Sequence, residues 1–121
     1  CEPLLATPSG VEALSSPGAH LPLGALADTR YQSRTVRLDP GAVLLVFSDG
    51  VPEARNPAGE PYGYDAPGRL LAGLDRDRTD AAGIRDALVA DVRRFAVHHL
   101  TDDLAVLVVR ATAAPATDRQ A

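Results

Sequence analysis

Apolar positions along the chain gather into a few short runs and one helical stripe. Residues 4–7 and 11–14 flank Pro8-Ser9-Gly10, the pattern of two strands joined by a tight turn. Residues 21–26 (LPLGAL) are apolar but broken by Pro and Gly. Positions 31–38 alternate, with Tyr31, Ser33, Thr35 and Arg37 on one face and Gln32, Arg34, Val36 and Leu38 on the other, which predicts a strand. Asp39-Pro40-Gly41 is a turn, Pro presetting one dihedral and Gly allowing a positive one. The unbroken apolar run 43–47 predicts a buried strand, in a hairpin with 31–38.

A loop rich in Pro and Gly fills 51–63. Residues 65–74 predict a short helix with Leu70, Leu71 and Leu74 as its apolar face. Thr79 or Asp80 then caps a longer helix to about residue 97, in which Ile84, Leu88, Val92 and Phe95 form one stripe. Residues 104–109 (LAVLVV) predict a second continuous apolar strand, central in its sheet like 43–47. The order of elements gives an α+β fold, an antiparallel sheet with helices packed to one side. Low complexity in 111–121 (ATAAPATDRQA) predicts a disordered tail after a domain spanning 1–110.

Composition narrows the function classes. At 121 residues with 45% hydrophobic content, the chain has the material for one small globular domain. Its net charge of -4 argues against a nucleic-acid surface or a polybasic membrane patch. No apolar run approaches the ~20 residues of a membrane span. The single cysteine, Cys1, excludes an internal disulfide and a cysteine-based zinc site, and is expected to be inert. That usage fits a reducing cytoplasm. All 12 basic residues are Arg. The chain opens on Cys1 with a strand pattern already under way, so it reads as a piece of a longer protein.

The run 43–47 ends in Ser48-Asp49-Gly50, and the run 104–109 begins just after Asp102-Asp103. If the two strands are antiparallel neighbours, their acidic ends share one rim of the sheet. Carboxylates so placed repel one another unless a cation sits between them. Hard oxygen donors without His or Cys select Mg²⁺ or Mn²⁺ over zinc. Gly50 lets the backbone turn tightly at the strand end. Spacing alone leaves the bland reading open, a turn and a helix–strand loop with charged caps.

SDGVPEA at 48–54 and DDLAVLVVR at 102–110 resemble the C-terminal half of the metal-dependent protein phosphatases, the type 2C family, in its bacterial SpoIIE-like branch. Supporting segments occur in order: CEPLLATPSG, PLGAL at 22–26, RLDPGAVLLVFSDG at 37–50 and GEPYG at 59–63. The resemblance covers 1 to about 110 and implies part of an α-β-β-α sandwich. By position it implies Asp49 and Asp102 as ligands of one metal, with Gly50, Asp103 and Glu53 in support. It implies a Mg²⁺- or Mn²⁺-dependent serine/threonine phosphatase in which two cations activate a water for in-line attack on a phosphoprotein, such as an anti-anti-sigma factor. The family's upstream aspartate–glycine motif has no counterpart here, and Ala42 and Ala105 replace its usual Asp and Thr. This fragment by itself is therefore expected to turn over little. The alternative is a phosphatase-like module that binds a partner without chemistry. His98-His99 is expected to be a loop-exposed pair, Arg93-Arg94 the solvated face of the second helix, and Arg55 a surface residue, with contact to a substrate phosphate as the alternative.

Overall fold

A computed structural model describes residues 1–18 and 21–114 of the chain. Strands β1 (Leu4–Thr7) and β2 (Gly10–Ala13) form the expected hairpin, in register from Leu4 opposite Ala13 to Thr7 opposite Gly10. Strand β3 (Val43–Phe47) lies antiparallel against β1, and β4 (Val106–Arg110) lies antiparallel against β3. The sheet order is β2-β1-β3-β4, so the described chain is α+β with a four-stranded antiparallel sheet. Beyond β4, Ala111 still exchanges main-chain hydrogen bonds with Gly41 and Ala42, at 2.8 and 2.9 Å. The remainder of the expected tail, 115–121, lies outside the described residues.

Helix α1 (Ala66–Gly73) and helix α2 (Ala81–Phe95) pack on one face of the sheet. From the sheet come Leu4, Ala6, Val43, Leu45 and Phe47; from the helices come Leu71, Ile84, Leu88 and Val92. Ile84, Leu88 and Val92 are 0% exposed, which makes the predicted stripe the inner face of α2. Complete burial of side chains this size stabilises by roughly 1.5–3 kcal/mol each. Asp80 caps α2, its Oδ1 accepting from the Gly83 amide at 2.7 Å. A Cβ at Gly83 would lie 3.1 Å from that oxygen and 2.8 Å from the Thr79 methyl, so the glycine that weakens the helix makes room for its cap. Helix α2 ends at Phe95, two residues short of the pattern. Val97 and His98 take positive φ (50° and 61°), and the His98 amide turns back to the Arg93 carbonyl at 2.8 Å.

Two expectations fail. Residues 31–38 form no strand; Tyr31 makes only an isolated bridge to Gly18. The alternation there carries polar residues on both faces, and its aliphatic members are confined to the half-buried Val36 and Leu38 at one end. Side-chain bonds hold the segment instead, from Arg34 to the Ser15 carbonyl (3.0 Å) and from Arg37 to Asp39 (2.9 Å). β3 therefore takes β1 as its neighbour, not 31–38. The other failure is β4, which is an edge strand in this sheet and not a central one. Its Leu107 and Val109 are 59% and 38% exposed on the face away from the helices.

Arginine side chains tie the helix connection to the sheet. Arg76 donates to the Leu71 and Thr7 carbonyls, and Arg110 donates to the carbonyls of Arg76 and Thr79. At the other end Tyr62 stacks edge-on against Phe95 and donates its hydroxyl to Asp91 Oδ2 at 2.7 Å. Burial first, and the Asp91 carboxylate second, push the Tyr62 ionisation well above its usual range.

Candidate functional site

The β3–β4 ladder carries its pairing to Phe47 opposite Val106, and the next residue on each strand continues it. The Ser48 amide donates to the Ala105 carbonyl at 2.9 Å. The Ser48 hydroxyl accepts from the Ala105 amide at 3.0 Å and donates to the Asp103 carbonyl at 3.4 Å. One hydroxyl thus clips the end of β3 to the approach to β4. The chain then turns, with the Val51 amide bonded to the Ser48 carbonyl (3.1 Å) and the Glu53 amide to the Asp49 carbonyl (3.0 Å).

Gly50 is buried at this turn, against the main chain of Asp103. A Cβ there would fall 2.1 Å from the Asp103 carbonyl oxygen, a distance no side chain can occupy. The requirement is for closeness between two backbones, and it brings the 48–50 and 102–104 segments onto one rim. Asp49, Asp102 and Asp103 are exposed on these segments, and Glu53 is exposed just beyond the turn. The Asp49 side chain is 62% exposed, with its Oδ1 facing Cys1. Asp102 Oδ1 accepts from the Asp103 amide at 2.8 Å, which orients that carboxylate.

The turn gathers neighbours that the sequence pattern did not single out. Cys1, expected to be inert, donates its thiol to Asp49 Oδ1 at 2.8 Å. Tyr64 has its ionisation raised, by desolvation first and then by the negative charges of Asp49 and Glu53, so it shares the field of this rim. Ser48 lay within the SDG segment, but nothing in the spacing marked its hydroxyl as a clip. A groove of about 730 Å³ runs beside the rim. Val89 and Arg93, one turn apart on α2, line it together with the loop 100–104, Asp102 and Asp103 included.

His98 and His99 are exposed in the α2–β4 connection, as expected. Arg55 donates to the Gly59 carbonyl and so closes its own loop. Among the described residues no three His, Cys, Asp or Glu side chains converge as a metal-holding group. The donor set at the rim, carboxylates with a nearby main-chain carbonyl, has the hardness that Mg²⁺ or Mn²⁺ prefers. It fits part of such a coordination shell.

The chain matches the family described as Stage II sporulation protein E (SpoIIE) over residues 1–112. No curated protein matches it. Among solved structures, it is similar to the phosphatase domain of the cell fate determinant SpoIIE from Bacillus subtilis in a Mn-presoaked form. That match has a TM-score of 0.70 at 21% identity, covering 95% of this chain and 48% of the other. It is likewise similar to the PP2C phosphatase domain of that determinant with a fragment of its regulatory domain, at TM-score 0.74 and 25% identity over 94% of this chain and 32% of the other. The SiaA-PP2C domain of Pseudomonas aeruginosa matches at TM-score 0.70 and 23% identity, covering 90% of this chain and 42% of that one. The chain thus spans about half the length, or less, of the solved chains it matches.

Proposed function

This chain belongs to the SpoIIE family, and on that premise we propose that it is the C-terminal portion, residues 1–110, of a Mg²⁺- or Mn²⁺-dependent protein serine/threonine phosphatase. The observation that carries the reading is the shared rim. Residues 53 positions apart in sequence, Asp49 and Asp102, come onto one edge of the sheet through the β3–β4 register. In this reading Asp49 and Asp102 hold the cation, Gly50 and the Asp103 main chain set their spacing, and Glu53 adds to the negative field. A bound divalent cation supplies charge neutralisation for phosphoryl oxygens and activation of water for in-line attack. The substrate is a cytoplasmic phosphoserine or phosphothreonine protein, an anti-anti-sigma factor in type.

The test is Mn²⁺-dependent hydrolysis of p-nitrophenyl phosphate by the full-length protein and its Asp49→Asn and Asp102→Asn variants. Each substitution is expected to lower turnover by roughly 100-fold or more, as loss of a group acting on the reacting phosphate does. Turnover that survives both changes would sink the site assignment. One observation favours the second reading, a binding module without chemistry: no third ligating side chain joins the rim among the described residues. A full-length protein that is folded yet silent with Mn²⁺ would establish that alternative.

A further inference from the structure

Resting on the phosphatase reading above, we infer that Arg93 is a specificity-determining residue that pairs with an acidic side chain flanking the phosphorylated residue of the substrate. Most guanidinium groups among the described residues are already engaged. Arg37, Arg78, Arg85 and Arg94 pair with carboxylates. Arg34, Arg55, Arg76 and Arg110 donate to main-chain carbonyls. Among the described residues Arg30, Arg69 and Arg93 make no such bond, although Arg94 beside Arg93 is held by Asp91 at 3.4 Å. Arg93 is the arginine that lines the groove shared with Asp102 and Asp103.

The groove has two unlike walls. On α2, Val89 and Arg93 present an apolar patch and a cation; opposite stands the acidic loop, with Leu100 and Leu104 as its apolar members. Its volume of about 730 Å³ falls within the ~300–1,000 Å³ of sites that take small ligands, room for a side chain beside the phosphorylated residue. A phosphopeptide brings two kinds of negative charge. The phosphoryl group belongs at the rim carboxylates and their cation. An Asp or Glu beside it then meets an acidic loop, which repels it, or Arg93, which attracts it. Charge complementarity therefore puts the flanking acid on Arg93. A merely structural role is available too, since a cation in the last turn of a helix complements its dipole. That role predicts a loss of stability that is indifferent to substrate charge.

The experiment uses the full-length protein with Mn²⁺ and two phosphoserine peptides that differ only by Asp or Lys beside the phosphoserine. The wild type is expected to favour the Asp peptide through KM, with kcat alike for both. Arg93→Gln narrows the preference, raising KM for the Asp peptide about 1.5- to fivefold, the effect of one solvent-exposed ion pair. Arg93→Glu inverts it, lowering KM for the Lys peptide, a gain that a misfolded variant cannot give. Equal changes on both peptides, or no change on either, would overturn the assignment. Failure of the wild type to hydrolyse p-nitrophenyl phosphate instead removes the phosphatase reading itself.

Discussion

Replacing Gly50 with alanine tests the contact on which the rim depends. The new methyl would be 2.1 Å from the Asp103 carbonyl oxygen and 3.1 Å from its carbon. Ordinary van der Waals contact begins at 3.4 Å, so the two backbones must part by more than an ångström. Neither is the end of a flexible side chain. The Ser48 hydroxyl spans that same gap, at 3.0 Å from the Ala105 amide and 3.4 Å from the Asp103 carbonyl, and parting the segments breaks both bonds. Overpacking of this kind costs about 1–3 kcal/mol, and each lost hydrogen bond about 1 kcal/mol. Gly50→Ala should therefore destabilise by about 3–5 kcal/mol, a fall of on the order of 6–20 °C in melting midpoint. Calorimetry of the full-length protein measures it, and on the phosphatase reading proposed above a Mn²⁺ titration of activity should show a raised half-saturation as Asp49 and Asp102 separate. Gly73→Ala is the control: nothing lies within 4 Å of its Cβ position, so alanine there should be neutral or stabilise by up to ~1 kcal/mol. A Gly50→Ala protein that melts with the wild type and keeps its Mn²⁺ response refutes the close approach.

Asp80→Ala removes the cap on the Gly83 amide and should cost about 1 kcal/mol, read as a shift in denaturant midpoint with an unchanged slope. Tyr62→Phe removes the hydroxyl donor to Asp91 and should cost roughly 1.5–3 kcal/mol at neutral pH. The same variant has a pH signature. The folded state holds the Tyr62 proton above the usual tyrosine value near 10. Its contribution is therefore complete below about pH 10 and is lost as pH rises through the higher folded value. Denaturant midpoints measured between about pH 8 and pH 11 should fall less steeply for Tyr62→Phe than for the wild type; equal slopes would refute the buried hydroxyl.

Much of this architecture was legible because burial imposes a period. The stripe Ile84, Leu88, Val92 named the inner face of α2, and the unbroken run 43–47 named β3. The same reasoning failed at 31–38, where alternation was present but its aliphatic members were confined to Val36 and Leu38 at one end, too little to bury a strand face. It failed differently at β4. An apolar run implies cover on both faces, and the described sheet covers Val106 and Val108 more than Leu107 and Val109. The aspartates of the rim were legible as strand ends, and their meeting followed from antiparallel pairing. What pairing could not convey was side-chain reach: the thiol of Cys1 on Asp49, the Ser48 clip, and Arg93 turning to the groove while Arg94 pairs with Asp91.

The clip at Ser48 fixes both ends of a long excursion, from the turn at Asp49 through both helices and back to Asp103. The entropy of closing such a loop grows only with the logarithm of its length, about 0.6 kcal/mol for each doubling. Residues added in the Pro- and Gly-bearing stretch 55–61, outside the ladder, should therefore barely alter how firmly the rim is held. The excursion is free to diversify in length and recognition while the acidic rim keeps its spacing.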